Sequence, residues 1–300
     1  MAQADVPARS RLTGLHQQAE ALADRLPPLL VAAERVAATV AQGVHGRRRV
    51  GVGETFWQFR PYQPGDDTAQ IDWRQSARSA QLFLRDQEWE AAETVWLWAD
   101  ASGSMAYSST PRAPTKADRA VLLLLALASL LTRAGERIAL LGDQRRPTGG
   151  RAAVANLCER LGSNPDADAS VVPIQQLPRH ARLVLISDFF VPLEELRDRL
   201  RGFVAMGIRG HLLQVLDAAE PILPFAGRVR FEGLENDGAA LIGNVDSIRV
   251  RYRDRIEAHR EGLRELARSL GWTLASHVTD HPPEPPLLAL YNALSTRVQG

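Results

Sequence analysis

The residues best suited to chemistry are Asp100, Ser102 and Ser104, which directly follow an apolar run at residues 95–99. Such a run is typical of a buried strand, and ligands of α/β proteins bind at the carboxyl ends of strands. Carboxylate and hydroxyl oxygens are the hard donors that Mg²⁺ accepts, together with several waters. The spacing therefore predicts a divalent-cation site, for Mg²⁺ or Mn²⁺, in the loop after this strand. The alternative is that Ser102 or Ser104 caps the following helix and binds no metal.

A second carboxylate, Asp188, follows another apolar run at residues 182–187. Neighbouring parallel strands share one crevice at their carboxyl ends, so Asp188 can face Asp100 across the cation. Two carboxylates so close repel each other, and a divalent ion between them removes that cost. The alternative role of Asp188 is to cap the helix that begins near Leu193.

The composition is that of an ordinary soluble globular protein. The 300 residues carry a net charge of +1, with 45% hydrophobic and 24% charged side chains. A net charge this close to zero gives the protein no overall electrostatic attraction for nucleic acid or for an anionic membrane. The longest apolar run, at residues 120–131, falls short of the ~20 residues that a membrane span requires. The sequence contains one cysteine and shows no signal peptide. We therefore expect a cytoplasmic protein without a membrane span.

Strands and helices alternate from residue 95 onward, with helices expected at Lys116–Arg133 and Val245–Leu270 among others. This alternation predicts an α/β fold with a doubly wound, mostly parallel sheet. Residues 94–300 are expected to form this domain, with a β-hairpin insertion near residues 221–243, where Asp237-Gly238 marks a tight turn. Residues 1–50 are predicted to be an N-terminal helical segment, and residues 51–93 a segment of accessory β-strands and turns.

A resemblance to a known family is carried by the segments Arg60-Pro61-Tyr62-Gln63-Pro64-Gly65-Asp66-Asp67, Ile71-Asp72-Trp73-Arg74, Asp100-Ala101-Ser102-Gly103-Ser104-Met105 and Ile186-Ser187-Asp188. From Leu12 to the C-terminus, the chain resembles the bacterial family of domain of unknown function fifty-eight, which carries a von Willebrand factor A-like domain. The resemblance implies that this chain has the von Willebrand factor A-like fold and the metal-ion-dependent adhesion site of that fold. Members are similar in being encoded beside MoxR-type AAA+ ATPases, which implies an adaptor or chaperone-like partner of such an ATPase.

The resemblance also bears on the ligands of the metal. Adhesion sites of this kind use a threonine from a third loop, and Thr148 is the only threonine in the loop before residue 151. The implied ligand set is therefore Asp100, Ser102, Ser104, Asp188 and Thr148. A metal held in this way leaves one coordination position for an acidic side chain of a client protein.

The family segment before residue 93 is rich in arginine, aspartate and aromatic residues. One hypothesis is a local network of salt bridges and turns, in which each exposed pair contributes about 0–1 kcal/mol. The other is a partner-recognition surface, because aromatic and arginine side chains are favoured at binding hot spots. The residues concerned are Arg60, Tyr62, Asp66, Asp67, Asp72, Trp73, Arg74 and Arg78.

Three functions compete. The first is a non-catalytic, cation-dependent protein-interaction module. The second, a metal-dependent hydrolase on the same scaffold, lacks both a Gly-x-Ser-x-Gly motif and a Gly-rich phosphate loop in the sequence. The third is nucleic-acid binding through Arg47, Arg48 and Arg49, but a basic patch this short is more often a solvated turn. We therefore expect no enzymatic activity and no nucleic-acid partner.

Overall fold

The computed structural model describes residues 17, 50–51, 55–62, 71–78, 81–88, 94–111, 113–162, 171–179, 181–234 and 238–295. Apart from residue 17, these residues divide into two compact units, one within residues 50–88 and one from Thr94 onward. Of the segment expected to be helical at residues 1–50, all but residues 17 and 50 lie outside the described residues.

The smaller unit contains a three-stranded antiparallel sheet and one short helix. Its elements are β1 (Val50–Gly51), β2 (Thr55–Pro61), α1 (Trp73–Ser76) and β3 (Phe83–Glu88), with strand order β1-β3-β2. The buried hydroxyl of Ser76 accepts a hydrogen bond from the backbone N–H of Phe83 at 2.8 Å, which ties the helix to β3.

The larger unit alternates strands and helices. Its strands are β4 (Thr94–Ala99), β5 (Arg137–Leu140), β6 (Arg182–Ser187), β7 (Arg209–Leu216), β8 (Val229–Glu232), β9 (Ala239–Ile242) and β10 (Thr273–Val278). Its helices are α2 (Lys116–Arg133), α3 (Arg151–Gly162), α4 (Leu193–Ala205), α5 (Arg249–Ser269) and α6 (Glu284–Ser295). Five of the strands form an all-parallel sheet in the order β10-β7-β6-β4-β5. The predicted α/β class with a doubly wound parallel sheet is confirmed.

The central strands β4, β6 and β7 are buried, as expected for parallel strands between helices. Every residue of β6 is buried. Trp96, Trp98 and Leu185 pack in one cluster with α4 and α5 residues that include Leu200 and Leu263. Alternate strand residues point to the opposite face, and α2, most of whose residues are buried, packs against β4, β5, β6 and β7.

The two remaining strands of this unit form a separate hairpin within residues 221–243. β8 and β9 pair antiparallel, with Val229 opposite Ile242 and Glu232 opposite Ala239. Gly238, which precedes β9, has a φ of 88°, a backbone conformation that glycine adopts without strain. None of the helices in the described part of the chain is long and apolar enough to cross a membrane.

Candidate functional site

The carboxyl ends of β4 and β6 bring Asp100 and Asp188 to one edge of the sheet. Ala99 is paired with Ile186, and the backbone N–H of Asp100 donates to the carbonyl of Ile186 at 2.9 Å. Both carboxylates are nearly inaccessible to solvent. The arrangement follows from parallel pairing, because adjacent strands that run in the same direction end at the same edge.

The loop after β4 turns its hydroxyl groups toward these carboxylates. The backbone N–H of Ser102 donates to Asp100 Oδ1 at 2.8 Å, which closes the loop. Ser104 Oγ donates to Asp188 Oδ2 at 2.9 Å and lies 3.1 Å from Ser102 Oγ. Asp100, Ser102, Ser104 and Asp188 therefore converge, as the sequence predicted from strand-end chemistry.

The capping alternatives are not realised in the structure. Ser102 precedes the short 3₁₀ turn Gly103–Ala106, but its side chain makes no capping hydrogen bond. Helix α2 is capped instead by Thr115, whose hydroxyl accepts from the N–H of Asp118 at 3.1 Å. Pro192 precedes α4, so Asp188 does not occupy the cap of that helix.

Lys116 lies among the carboxylates as an internal cation. It is the first residue of α2 and only 1% exposed. Its Nζ donates to Asp188 Oδ2 at 2.7 Å and to Glu220 Oε1 at 2.5 Å, and it lies 5.3 Å from the centre of the Phe190 ring. Burial alone lowers the pKa of Lys116, but the negative charges of Asp188 and Glu220 raise it above its ordinary value. The side chain is therefore an ammonium group within the site.

The end of β7 contributes a third group of acidic residues. Asp217 Oδ2 accepts from the N–H of Ser109 at 3.0 Å, and Asp217 Oδ1 accepts from the N–H of Ala219 at 2.8 Å. Glu220 Oε2 accepts from the N–H of Asp217 at 2.7 Å, while its other oxygen holds Lys116. Asp217 thus fixes the surrounding loops, and Glu220 faces the site.

Ser187, the last residue of β6, holds Asp100 in place. Its Oγ donates to Asp100 Oδ2 at 2.6 Å. Burial raises the pKa of the Asp100 carboxyl above its ordinary value, and the hydrogen bond from Ser187 opposes that shift.

Sequence reasoning missed Lys116, Glu220 and Ser187. A signal for Glu220 existed, because Asp217 and Glu220 follow an apolar strand in the same way as Asp100 and Asp188 do. Lys116 has no local signal, since its two partners lie 72 and 104 residues away along the chain.

The convergent polar groups form the floor of a cavity of about 350 Å³. Among the aromatic and apolar residues of its walls are Tyr107, Phe190, Leu223, Phe225, Phe231 and Tyr252. Phe231 belongs to β8, and its ring meets the Phe225 ring edge-on at 5.8 Å, so the hairpin forms part of the wall. A polar floor beneath apolar walls is the usual construction of a ligand site.

The structure does not bring Thr148 to this site, so its assignment as a metal ligand was wrong. Thr148 pairs with Ile138 of β5, through backbone hydrogen bonds of 2.8 and 2.9 Å. Ile138 is in register with Val95, near the start of β4. Because a strand rises about 3.3 Å per residue, Thr148 lies near the other end of the sheet from Asp100.

The residues predicted to bind a partner lie in the smaller unit. Trp73 begins α1 and is 66% exposed, and Arg74 and Arg78 are also exposed. Tyr62 and Asp72 are partly exposed. Arg60 lies on β2, and its side chain, like the whole of Asp66 and Asp67, is outside the described residues.

The oxygens of Asp100, Ser102, Ser104 and Asp188 are of the types that a divalent ion binds. Mg²⁺ binds oxygen at about 2.1 Å, so neighbouring ligands of an octahedral shell lie about 3 Å apart. The observed spacings are 3.1 Å between the Ser102 and Ser104 hydroxyls, and 2.9 Å between Ser104 Oγ and Asp188 Oδ2. Within the described residues no group of three or more His, Cys, Asp or Glu side chains is placed to bind a metal, so a metal at this position would need the serine hydroxyls as further ligands.

The chain is similar to proteins whose function is not established. It is 29% identical over 258 residues to Uncharacterized protein Rv1480 of Mycobacterium tuberculosis (strain ATCC 25618 / H37Rv), covering 80% of each chain. Among solved structures it is similar to the conserved hypothetical protein BatB from Bacteroides thetaiotaomicron, with 13% identity and a TM-score of 0.36. It is also similar to an aerotolerance-related membrane protein from Bacteroides fragilis NCTC 9343, with 14% identity and a TM-score of 0.39. Each of these two matches covers 68% of this chain and 98% of the other.

The expected cytoplasmic location is corrected by these comparisons. The Bacteroides fragilis protein is, by its own description, a membrane protein, and the cytoplasmic assignment made from the sequence is not retained. The family model for Protein of unknown function DUF58 matches residues 58–262. This range includes β4, β6 and β7 and the converging residues Asp100, Ser102, Ser104 and Asp188. The chain therefore belongs to the DUF58 family.

Proposed function

We propose that this protein is a non-catalytic interaction module that binds an acidic side chain of a client through Mg²⁺ or Mn²⁺. The ion would be held by Asp100, Ser102, Ser104 and Asp188. The observation that carries the proposal is the convergence of two strand-end carboxylates and two hydroxyls, in which Ser104 Oγ lies 3.1 Å from Ser102 Oγ and 2.9 Å from Asp188 Oδ2, because oxygens of these types are the ligands that Mg²⁺ binds. When bound, the ion supplies an electrophilic position for a carboxylate oxygen.

The residues around this set keep it in one arrangement. Ser187 and the N–H of Ser102 each hold one oxygen of Asp100, so the carboxylate need not reorganise when a ligand binds. The aromatic walls of the cavity reduce the local dielectric constant, which strengthens any contact between an ion and a carboxylate.

Two observations support a binding function over hydrolysis. The described residues that line the cavity include no histidine, the side chain that most often acts as a general base. Lys116 is kept protonated by Asp188 and Glu220, so it is not available as a general base.

We further propose that the protein acts as an adaptor or chaperone-like partner of a MoxR-type AAA+ ATPase. This part extends the family resemblance seen in the sequence. We assign the contact to the surface of Trp73, Arg74 and Arg78, because an exposed tryptophan beside arginines has the composition of a binding hot spot.

Metal titration tests the site. In thermal unfolding, millimolar Mn²⁺ should raise the Tm of the wild type, because binding to the folded state alone stabilises it. Ser104→Ala should lose that rise. Ser108→Ala, which removes a hydroxyl bonded only to nearby carbonyl groups, should retain it. Equal metal-dependent rises in the wild type and Ser104→Ala would show that the site is misassigned.

Co-purification tests the partner. The MoxR-type ATPase encoded nearest this gene should be recovered with the wild type in Mg²⁺, less in chelator, and less with Trp73→Ala. Equal recovery in Mg²⁺ and chelator would remove the cation from the mechanism. Failure to recover the ATPase under either condition would remove the partnership.

A further inference from the structure

Asp188 Oδ2 is shared by two donors, and one of them is charged. Ser104 Oγ donates to it at 2.9 Å and Lys116 Nζ at 2.7 Å. A carboxylate oxygen offers about two lone-pair positions, so these donors satisfy it. A divalent ion that binds this oxygen must therefore displace a donor.

Electrostatics decides which donor leaves. The Ser104 hydroxyl is neutral and can turn its own lone pairs toward an ion, whereas the Lys116 ammonium carries a positive charge that repels it. Lys116 and Asp188 are both almost completely buried, with side chains 1% and 4% exposed, so water screens this repulsion weakly.

Glu220 gives the displaced ammonium a second carboxylate. Its Oε1 lies 2.5 Å from Lys116 Nζ, and its side chain is 14% exposed. Lys116 can thus release Asp188 and keep an ion pair with Glu220, which avoids the large cost of an unpaired buried charge.

We infer that Lys116 is an internal cation that competes with the divalent ion for Asp188 Oδ2 and thereby sets the metal affinity of the site. This inference rests on the proposed function, because it concerns the same ligand set. It assigns Lys116 as a residue that positions and tunes the site. A purely structural lysine would support the fold but leave the metal affinity unchanged.

The experiment measures Mn²⁺ affinity by calorimetry in matched pairs of variants. Lys116→Met should bind Mn²⁺ about tenfold or more tightly than the wild type, because a competing positive charge has been removed. Removing one partner of a buried ion pair also destabilises the fold, so a second pair is needed. The double variant Lys116→Met/Glu220→Gln keeps the charge balance and should likewise bind Mn²⁺ about tenfold more tightly than Glu220→Gln alone.

The outcomes separate this inference from the proposal on which it rests. Equal affinities within each pair, with binding lost in Ser104→Ala, would overturn the role of Lys116 and leave the metal site in place. Absence of Mn²⁺ binding in every variant would overturn both. If the variant without Lys116 binds Mn²⁺ more tightly than its partner in either pair, and adding Ser104→Ala abolishes that binding, both the role of Lys116 and the metal site are supported.

Discussion

At the scale of single residues, Ser187 connects the site to the backbone that supports it. Its hydroxyl donates to Asp100 Oδ2 at 2.6 Å and accepts from the N–H of Phe189 at 2.9 Å. Phe189 has a φ of 54°, a left-handed conformation that is uncommon for a residue with a bulky side chain. One buried hydroxyl therefore orients a carboxylate of the site and helps to hold a strained residue beside it.

Ser187→Ala should lower the free energy of unfolding by about 1–3 kcal/mol, because it leaves a buried carboxylate oxygen and a buried N–H without their partner. Urea denaturation measures the change. Ser247→Ala removes an exposed hydroxyl that bonds only to the nearby carbonyl of Asn244, and it should change stability by less than about 0.5 kcal/mol. Similar stabilities of the two variants would contradict the role given to Ser187.

The sequence predicted part of the site at this scale. Asp100, Ser102, Ser104 and Asp188 were identifiable because each follows the end of an apolar strand within a few residues. Lys116 was not, because its function depends on a pairing that only the folded chain creates. Thr148 was assigned wrongly because the loop it occupies returns along β5 toward the start of the strands.

At the scale of elements, Gly210 sets how closely β7 approaches Trp272. A Cβ added at Gly210 would lie 1.9 Å from the Trp272 ring, and Trp272 is buried in the cluster beneath α4 and α5. Only a residue without a side chain permits this contact between a strand and an aromatic ring.

Gly210→Ala should therefore lower the free energy of unfolding by about 1–3 kcal/mol, the usual cost of overpacking a core. Gly202→Ala is the matched control, because Gly202 is exposed on α4 and a Cβ there meets nothing within 4 Å. That change should stabilise the protein by about 0.4–1 kcal/mol through reduced entropy of the unfolded chain. A Gly210→Ala protein as stable as Gly202→Ala would refute the close packing of Trp272.

The elements themselves followed closely from sequence periodicity. Helix α2 spans Lys116–Arg133, as predicted, because Thr115 caps its first turn and the apolar run at residues 120–131 lies within it. The helix predicted from Val245 begins later, at Arg249, since Val245–Ser247 form a 3₁₀ turn capped by Asn244. Local hydrogen bonding of an asparagine side chain, which hydrophobic periodicity does not report, moved that boundary.

At the scale of the whole molecule, the order of the strands creates the site. The alternation of strands and helices predicted a parallel sheet, but it could not say which strands are neighbours, because pairing joins distant parts of the chain. The observed order places β6 between β4 and β7. The acidic residues that follow these three strands therefore share one edge, and Glu220 can meet Asp188 through Lys116.

Two buried histidines couple the stability of the larger unit to pH. His211 lies on β7 and His277 on the adjacent strand β10, and both are nearly inaccessible. Burial is the main cause that lowers the pKa of each from 6.5 to about 4. The charges of Arg182 and Arg209 add to the shift of His211, and those of Arg119 and His281 add to the shift of His277. Both side chains therefore stay neutral in the folded protein at pH values where an ordinary histidine is protonated.

In the unfolded chain each histidine has a pKa of about 6.5. Between about pH 6.5 and about pH 4, the unfolded chain therefore binds protons at these two histidines that the folded protein does not bind. The free energy of unfolding should therefore fall as pH falls through this window, with a slope that approaches about 1.4 kcal/mol per pH unit for each histidine. In urea denaturation, the double variant His211→Gln/His277→Gln should lose less stability than the wild type between about pH 7 and about pH 5. His281→Gln, at a side chain that is 68% exposed, removes only the smallest contributor to the lowered pKa of His277, so it should change the pH dependence much less than the double variant does. If the double variant has the same pH dependence as the wild type, the two buried histidines are not its source.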